Sequence, residues 1–298
     1  MAENFSFSFG NAIDTSLKAH NTLSFLAYQL NTNQYDTLTI DMHELTFIAA
    51  NQFAVLGCVF HTYMRQYRES QLTITGMSRK IRTVIQKNGF GRYFNLDSIP
   101  DRFHTVIPYK VFLVNETKEF ESYLTIQLFS RDDLSEKMKF FSHFIQDYLL
   151  EVFINVSNHT SSQYVYSCGQ FFPKSSMLYF TIADNGETIP YNVQTYFEKN
   201  SINSNCNYLQ WALQEGTSTS DSGDSRGVGL FITKEFLLKT QGEIYIISGM
   251  DCYEMTVHGE RYQKMQYPFP GTIVTLGFNL SDSSFNTIAN APFEEIQF

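Results

Sequence analysis

Three polar residues recur at every fourth position inside residues 134–159, a long stretch with few helix breakers. The stretch predicts a long helix. Because residues four apart lie on the same side of a helix, Glu151, Asn155 and His159 share one face. An ordinary amphipathic helix with a polar edge shows the same spacing, so this pattern alone leaves a structural explanation open.

The residue types on this face suit phosphate chemistry. The amide oxygen of Asn155 is a suitable ligand for Mg²⁺, which keeps most of its waters and takes other ligands from phosphates. A neighbouring carboxylate such as that of Glu151 can orient or deprotonate an attacking water or hydroxyl. The face therefore provides a candidate metal ligand beside a candidate base.

A second signal, Asp184-Asn185-Gly186, follows a predicted strand at residues 177–183. A carboxylate at a strand end can accept a hydrogen bond from an exocyclic amine such as that of adenine. The glycine allows the backbone to approach closely. A plain turn explains the same three residues at least as well, because Asp-Asn-Gly is a strong turn sequence.

A third signal is a glycine pair at the start of a helix predicted over residues 228–240. Its residues are Arg226, Gly227, Val228, Gly229 and Leu230. Free N–H groups and the helix dipole at such a start bind phosphates, although a flexible helix entry is the simpler explanation of the pair alone. A fourth signal, Gly271-Thr272, opens a predicted strand at residues 272–279.

In this order and spacing, the four signals resemble the GHKL superfamily, the ATP-binding fold of gyrase, heat-shock chaperones, histidine kinases and mismatch-repair ATPases. Further matches are residues 212–219 before the glycine pair, and Lys234 and residues 241–243 after it. The lid sequence most resembles that of sensor-kinase ATP domains. The resemblance covers residues 134–280.

The resemblance implies a Mg·ATP site. Asn155 would hold Mg²⁺, Glu151 would be the catalytic carboxylate, and Asp184 would bind adenine with support from Gly186 and Thr272. The residues around the phosphates would be Arg226, Gly227, Val228, Gly229 and Leu230, at the end of a lid spanning about 187–226. Thr188 and Ser225 stand where the family has glycines, which puts fast turnover in doubt.

The N-terminal half alternates between strand and helix patterns, with strands predicted at 37–42 and 71–75 and helices at 49–67 and 78–88. It resembles STAS domains, the sulfate-transporter and anti-sigma-antagonist fold. Switch-type STAS domains carry a phosphorylatable Ser after the second strand, and here residues 49–52 read Ala-Ala-Asn-Gln. Phosphorylation at that place is therefore not expected.

Together these patterns predict an α/β (α+β) protein of two domains. A small STAS-like α/β domain would occupy residues 1–105, and residues 106–133 would form a junction containing a β-rich piece. A GHKL α/β sandwich, with helices on one face of a mixed sheet, would occupy residues 134–282. Residues 283–298 would be a tail, and residues 186–226 would be irregular.

Charge and composition exclude several classes. The net charge of −9 divides into +2 for residues 1–110 and −11 for residues 111–298, so nucleic acid is an unlikely partner. A basic cluster in residues 79–92 is explained by the solvated face of one helix. The apolar run at 53–60 is too short to span a membrane, and no signal peptide is evident. Four scattered cysteines favour a reducing cytoplasm.

The leading functional hypothesis is a regulatory ATP-binding protein related to anti-sigma kinases. Its nucleotide state would control a contact with a protein partner, through the STAS-like domain or by self-association. Slow ATP hydrolysis or Ser/Thr phosphoryl transfer would accompany it. The open alternative is a non-enzymatic interaction module with a degenerate nucleotide site. A histidine kinase is disfavoured, because His143 lies on the same helix as Glu151.

Overall fold

The computed structural model describes residues 4–129, 136–203, 205–219, 229–281, 283 and 286. Helices combine with parallel and antiparallel strands, which confirms the α/β class. The N-terminal unit contains β1 (Asn4–Ser8), β2 (Ala12–Ile13), α1 (Leu17–Thr32), β3 (Thr37–Asp41), β4 (Phe47–Ile48), α2 (Phe53–Gln66), β5 (Gln71–Thr75) and α3 (Arg79–Lys87). Short 3-10 turns cover Ala50–Gln52 and Phe90–Phe94.

The N-terminal unit is built on a parallel sheet of order β1-β3-β5, with β2 and β4 forming a second parallel pair. The predicted strand at 71–75 and the helix at 78–88 are confirmed. Ser78 begins α3, because its side chain accepts a hydrogen bond from the Ile81 N–H. Gly89 follows the helix with φ of 76°, a conformation that glycine adopts without strain.

The C-terminal part is built on a five-stranded sheet. Its elements are β6 (Val106–Leu113), α4 (Thr117–Phe129), α5 (Glu136–His159), β7 (Tyr164–Phe172), β8 (Met177–Asp184), α6 (Ile189–Lys199), α7 (Tyr208–Ala212), α8 (Gly229–Lys239), β9 (Glu243–Thr256) and β10 (Gly259–Asn279). The strand order is β6-β7-β8-β10-β9.

Every neighbouring pair in the five-stranded sheet is antiparallel, whereas the resemblance implies a mixed sheet. The reason is local. Short turns join β7 to β8 and β9 to β10, and a short turn can join only antiparallel strands. The edge strand β6 and the helix α4 occupy most of residues 106–129, so this part of the predicted junction belongs to the sheet and its helical layer.

The two faces of the sheet are covered by different parts of the chain. Side chains alternate between the faces along a strand. From β8, Leu178, Phe180 and Ile182 share a hydrophobic core with α4, α5 and α8. Ala183 faces the other way, into a core shared with α1 and α2. The N-terminal unit therefore packs directly against the sheet that carries the candidate site.

A buried polar contact fixes this packing. The Asn51 amide donates to the Thr181 hydroxyl at 2.9 Å, and that hydroxyl is 2.8 Å from the hydroxyl of Thr275. The Ala50 N–H donates to the side-chain oxygen of Gln170 at 2.5 Å. Residues 49–52, where switch-type STAS domains carry their phosphorylatable Ser, are thus buried against the sheet.

Asn51→Ala is expected to lower the free energy of unfolding by about 2 kcal/mol, because it removes a buried hydrogen bond and leaves a small cavity. Chemical denaturation of the two proteins measures the difference. The exposed Asn31→Ala is the matched control and should change stability by less than about 0.5 kcal/mol. Equal small effects at both positions would contradict a role for Asn51 in holding the N-terminal unit on the sheet.

Among the described residues, no helix is both long and apolar enough to cross a membrane.

Candidate functional site

Glu151 and Asn155 lie side by side near the end of α5. The Asn155 amide donates to the Glu151 carboxylate at 3.2 Å, and both side chains are half-buried. Within the described part of the chain, the carbonyl oxygen of Asn155 has no hydrogen-bond partner. The arrangement therefore orients the carboxylate and leaves an amide oxygen available as a ligand.

The first residue of α8 lies directly against this pair. A Cβ on Gly229 would come 1.8 Å from a carboxylate oxygen of Glu151, so a larger residue cannot occupy this position without displacing Glu151. The first N–H groups of a helix have no partner within the helix, and the positive end of the helix dipole lies there. Packing of Tyr148 and Phe144 on Phe236 holds α5 and α8 together. The carboxylate of Glu151 thus lies directly against the N-terminal end of α8.

Asp184 is the last residue of β8 and is only 2% exposed. One of its oxygens accepts hydrogen bonds from the Gly186 N–H at 2.8 Å and from the Thr160 hydroxyl at 3.1 Å. Burial raises the pKa of Asp184 to about 7, although these two hydrogen bonds oppose the change and nearby Glu187 adds to it. A buried carboxyl that titrates near neutrality is typical of functional sites.

Thr160 joins the two halves of the site. It directly follows α5, and its hydroxyl reaches the strand end at Asp184. Gly186 packs on the same residue, since a Cβ there would lie 1.5 Å from the Thr160 hydroxyl and 2.8 Å from the Ser162 nitrogen. Close packing of this loop is therefore a sufficient structural reason for the glycine.

Thr272 is the direct register partner of Asp184 on β10. Its hydroxyl lies 2.8 Å from that of Ser248 on β9, and the Ser248 oxygen also accepts from the Ile189 N–H at the start of α6. Thr272 thus anchors the neighbouring strand and helix around Asp184, and the structure gives it no hydrogen bond to the carboxyl itself.

Residues 186–226 are not irregular throughout, because α6 and α7 lie within them. Thr188, where the GHKL resemblance implies a glycine, begins α6 by accepting from the Tyr191 N–H at 3.2 Å. Four aromatic side chains pack α6 on α7: Tyr196, Phe197, Tyr208 and Trp211. Turn-forming residues between these two short helices hide the helical pattern in the sequence.

Part of the predicted phosphate segment lies outside the described residues, namely Arg226, Gly227 and Val228, together with Ser225. Leu230 is in the first turn of α8 and packs on the core. His159, at the end of α5, has its pKa lowered by burial, and its ring lies 3.3 Å from the Thr219 hydroxyl. The side-chain amide of Asn192 donates to the backbone oxygen of His159 at 2.7 Å, which connects α6 to α5.

Sequence reasoning missed three polar residues that support the site: Thr160, Ser162 and Ser248. Ser162 donates to the side-chain oxygen of Asn185 at 2.8 Å, beside Asp184. Each of the three acts through contacts between segments distant in sequence, so no local periodicity marks them. The one available signal was the cluster of hydroxyl residues at 160–162 directly after a long helix.

No protein-family model, no curated protein and no solved structure matches the chain. Within the described ranges, no three or more His, Cys, Asp or Glu residues are grouped so that they could hold a metal ion.

Proposed function

We propose that this protein binds Mg·ATP at the junction of α5, the end of β8 and the start of α8, as GHKL-type domains do. One observation carries the proposal: the Glu151 carboxylate lies against Gly229 at the start of α8, while Asp184 lies buried at the adjoining strand end. Thr160 directly follows α5, the helix that carries Glu151, and its hydroxyl donates to Asp184. These contacts support the arrangement that the resemblance implies.

The Asp184 end suits the adenine base. Its carboxyl is buried and anchored on one oxygen by Gly186 and Thr160, so its orientation is fixed before any ligand arrives. An exocyclic amine can donate to such a carboxylate. That donor would favour the charged form of Asp184, so we expect base binding to lower the raised pKa and to release a proton near neutral pH.

The Asn155 end suits the phosphates and the metal. Mg²⁺ usually takes one or two protein ligands and completes its shell with water and phosphate oxygens, which fits a single available amide oxygen at Asn155. Bound Mg²⁺ would neutralise phosphate charge. The start of α8, with Gly229 and the preceding Arg226, Gly227 and Val228, would supply N–H donors to the phosphates.

Glu151 gives this site a group able to activate a nucleophile. Its carboxylate, oriented by Asn155, would accept the proton of a water in hydrolysis or of a Ser/Thr hydroxyl in phosphoryl transfer. A binding-only module is the second candidate. It is favoured by Thr188, which replaces a family glycine and fixes the start of α6 by its hydrogen bond to Tyr191.

The nucleotide would act as a regulatory signal through the rest of the chain. The sheet that carries Asp184 on one face carries Thr181 on the other, where Asn51 of the STAS-like unit is bound. A shift of β8 on nucleotide binding at Asp184 would therefore alter the packing of that unit and any contact that it makes with a protein partner. Four free cysteines, three of them buried, fit a cytoplasmic location for such a protein.

Isothermal titration calorimetry with Mg·ATP tests the proposal. We expect saturable binding by the wild type and binding about tenfold weaker or more by Asp184→Asn, because the substitution removes the charged acceptor for the amine. Asp251→Asn, a carboxyl bonded to Lys264 away from the site, is the matched control. If the wild type does not bind Mg·ATP, the nucleotide assignment is wrong. If Asp184→Asn binds Mg·ATP with unchanged affinity, the proposed contact between Asp184 and adenine is wrong.

An assay with γ-labelled ATP separates the two candidates. If the protein is an enzyme, the wild type releases labelled phosphate or yields a labelled protein, and Glu151→Ala loses this activity while still binding ATP. The labelled product then distinguishes an ATPase from a kinase. Binding without any labelled product in the wild type favours the binding-only module.

A further inference from the structure

A cleft lies between the N-terminal unit and the free edge of the five-stranded sheet, and neither Glu151 nor Asp184 lines it. It has a volume of about 510 Å³, within the range of small-molecule sites. His61 of α2 and Arg92 and Tyr93 of the second 3-10 turn form one wall. The other wall is formed by Val111, Phe112, Leu113, Glu116 and Tyr164.

The first wall is cationic in a protein with a net charge of −9. The Arg92 guanidinium lies over the rings of Tyr93 and Tyr109, 5.5 and 5.2 Å from their centroids. Within the described ranges, no carboxylate lies within ion-pair distance of it. Arg92 thus presents an exposed guanidinium that is held by aromatic rings and is not neutralised by an acid.

Two further polar groups, His61 and Glu116, line the cleft beside Arg92. His61 contacts the Tyr166 hydroxyl through Nδ1 at 2.7 Å, and the structure gives its Nε2 no hydrogen bond. Burial lowers the pKa of His61, and the charges of Arg65 and Arg92 lower it further, so the ring is mainly neutral at neutral pH and can still donate through Nε2 when Nδ1 accepts from Tyr166. Glu116 is the acidic residue of the lining, and one of its oxygens already accepts from the Leu113 N–H at 2.8 Å.

The geometry argues for a small molecule and against an added peptide strand. The open edge of β6 would be the place for such a strand. However, the Tyr109 N–H donates to the Asn88 oxygen at 2.8 Å, and the Leu113 N–H is held by Glu116. Backbone N–H groups alternate between the two sides of a strand, so between Tyr109 and Leu113 only Val111 has an N–H that faces the open edge. A single available backbone position is too few for a peptide strand to pair with.

We propose that this cleft binds a small organic anion, whose carboxylate or phosphate group contacts Arg92 and Nε2 of His61. An apolar portion of the ligand would lie on Val111 and between the rings of Tyr93 and Tyr164. Guanidinium groups bind both kinds of anion in the same planar geometry. The ligand would contact both the N-terminal unit and the sheet, so its binding would stabilise the packing of the N-terminal unit against the sheet.

Three probes of similar size test the site: benzoate, phenyl phosphate and the neutral benzyl alcohol. Each is titrated into the full-length protein while the His61 ring resonance is followed by NMR. We expect a saturable shift with at least one anion, at a dissociation constant of about 1 mM for so small a ligand, and none with the alcohol. The tighter of the two anions identifies the preferred group. An equal response to the alcohol, or none to either anion, overturns the proposal.

Variants assign the contact to Arg92. Arg92→Gln should weaken the anion about tenfold, while Arg92→Lys should retain part of the affinity because it keeps the charge. Arg82→Gln, which removes an exposed charge from α3 outside the cleft lining, should bind as the wild type does. Unchanged binding by Arg92→Gln contradicts the site. If that variant does not fold, loss of wild-type affinity on adding NaCl serves the same purpose, and salt-independent binding is the contrary result.

The experiment is independent of the nucleotide site. Saturating Mg·ATP should leave the benzoate or phenyl phosphate titration of His61 in place, since Asp184 and Glu151 do not line this cleft. Displacement of the probe from His61 by ATP would place ATP, itself an organic phosphate, in this cleft and would overturn the separate nucleotide site. Failure of ATP binding alone would leave the anion cleft untouched.

Discussion

Asp184→Asn is expected to stabilise the nucleotide-free protein at pH 8 by up to about 4 kcal/mol. Burial raises the pKa of this carboxyl from its ordinary 3.8 to about 7, and a pKa difference of one corresponds to about 1.4 kcal/mol. At pH 8 the folded protein must therefore hold a buried negative charge at a cost. The uncharged amide of Asn avoids that cost and still accepts the hydrogen bonds of Gly186 and Thr160.

The dependence on pH follows from the direction of the shift. Between about pH 4 and 7 the folded protein binds a proton at Asp184 that the unfolded chain has already released, so wild-type stability falls as the pH rises. Above pH 7 both states are ionised and the penalty is complete. Below pH 4 both are protonated and the penalty vanishes. The difference between Asp184→Asn and wild type should therefore grow from near zero at pH 4 to its full size at pH 8.

Chemical denaturation at several pH values measures this difference. Asp101 provides a control of opposite sign: burial opposes its ionisation, but hydrogen bonds from Lys87, Val106 and Thr105 hold the pKa of this carboxyl below its ordinary value. Asp101→Asn should therefore destabilise the protein at neutral pH. A destabilising effect of Asp184→Asn at pH 8, or the same effect at pH 4 and pH 8, would be incompatible with a buried ionised carboxyl.

A stabilising Asp184→Asn substitution would also bear on function. A residue that costs folding free energy and yet occupies a fixed, hydrogen-bonded position is typical of a binding or catalytic site. Together with weaker Mg·ATP binding in the calorimetric experiment, it would show that the charge is useful only when a ligand is present. Stabilisation without any change in ATP binding would mean that the charge has no role in nucleotide binding.

The elements that could be predicted from the sequence are those with a strong local pattern. Helix α3 has its apolar residues at helical spacing between Ser78 and Gly89, and the structure ends it at those caps. Long helix α5 and strand β8 were predicted within a few residues for the same reason. Local patterns also suffice to bring Glu151 and Asn155 together, because they lie one helical turn apart.

What could not be predicted depends on contacts between distant segments. Thr160 reaches Asp184 across 24 positions, and Asn51 reaches Thr181 across 130. The packing of the N-terminal unit on the sheet produces no recognisable hydrophobic periodicity in the N-terminal or the C-terminal half of the sequence. The cleft beside Arg92 likewise exists only because the edge of β6 faces that unit. Pattern reasoning thus identified individual groups and missed the partners that hold them.

Gly271→Ala is expected to lower the free energy of unfolding by about 4 kcal/mol, combining backbone strain with a steric clash. Gly271 lies just before Thr272, where β10 passes the end of β8, and its φ of 142° is one that other residues rarely adopt. A Cβ there would lie 2.1 Å from the backbone oxygen of Asp184 and 2.7 Å from the Asn185 Cα. Backbone atoms cannot rotate away, so the strand ends must separate.

Gly259→Ala isolates the clash. Gly259 also has a positive φ, 109°, but a Cβ at that position would meet nothing within 4 Å. This control should show the strain alone, about 1–2 kcal/mol, and denaturation of both variants measures the difference. Because the Gly271 clash falls on Asp184, Gly271→Ala should also weaken Mg·ATP, whereas Gly259→Ala should not. Equal destabilisation by the two variants would mean that the close approach of β10 to Asp184 contributes nothing.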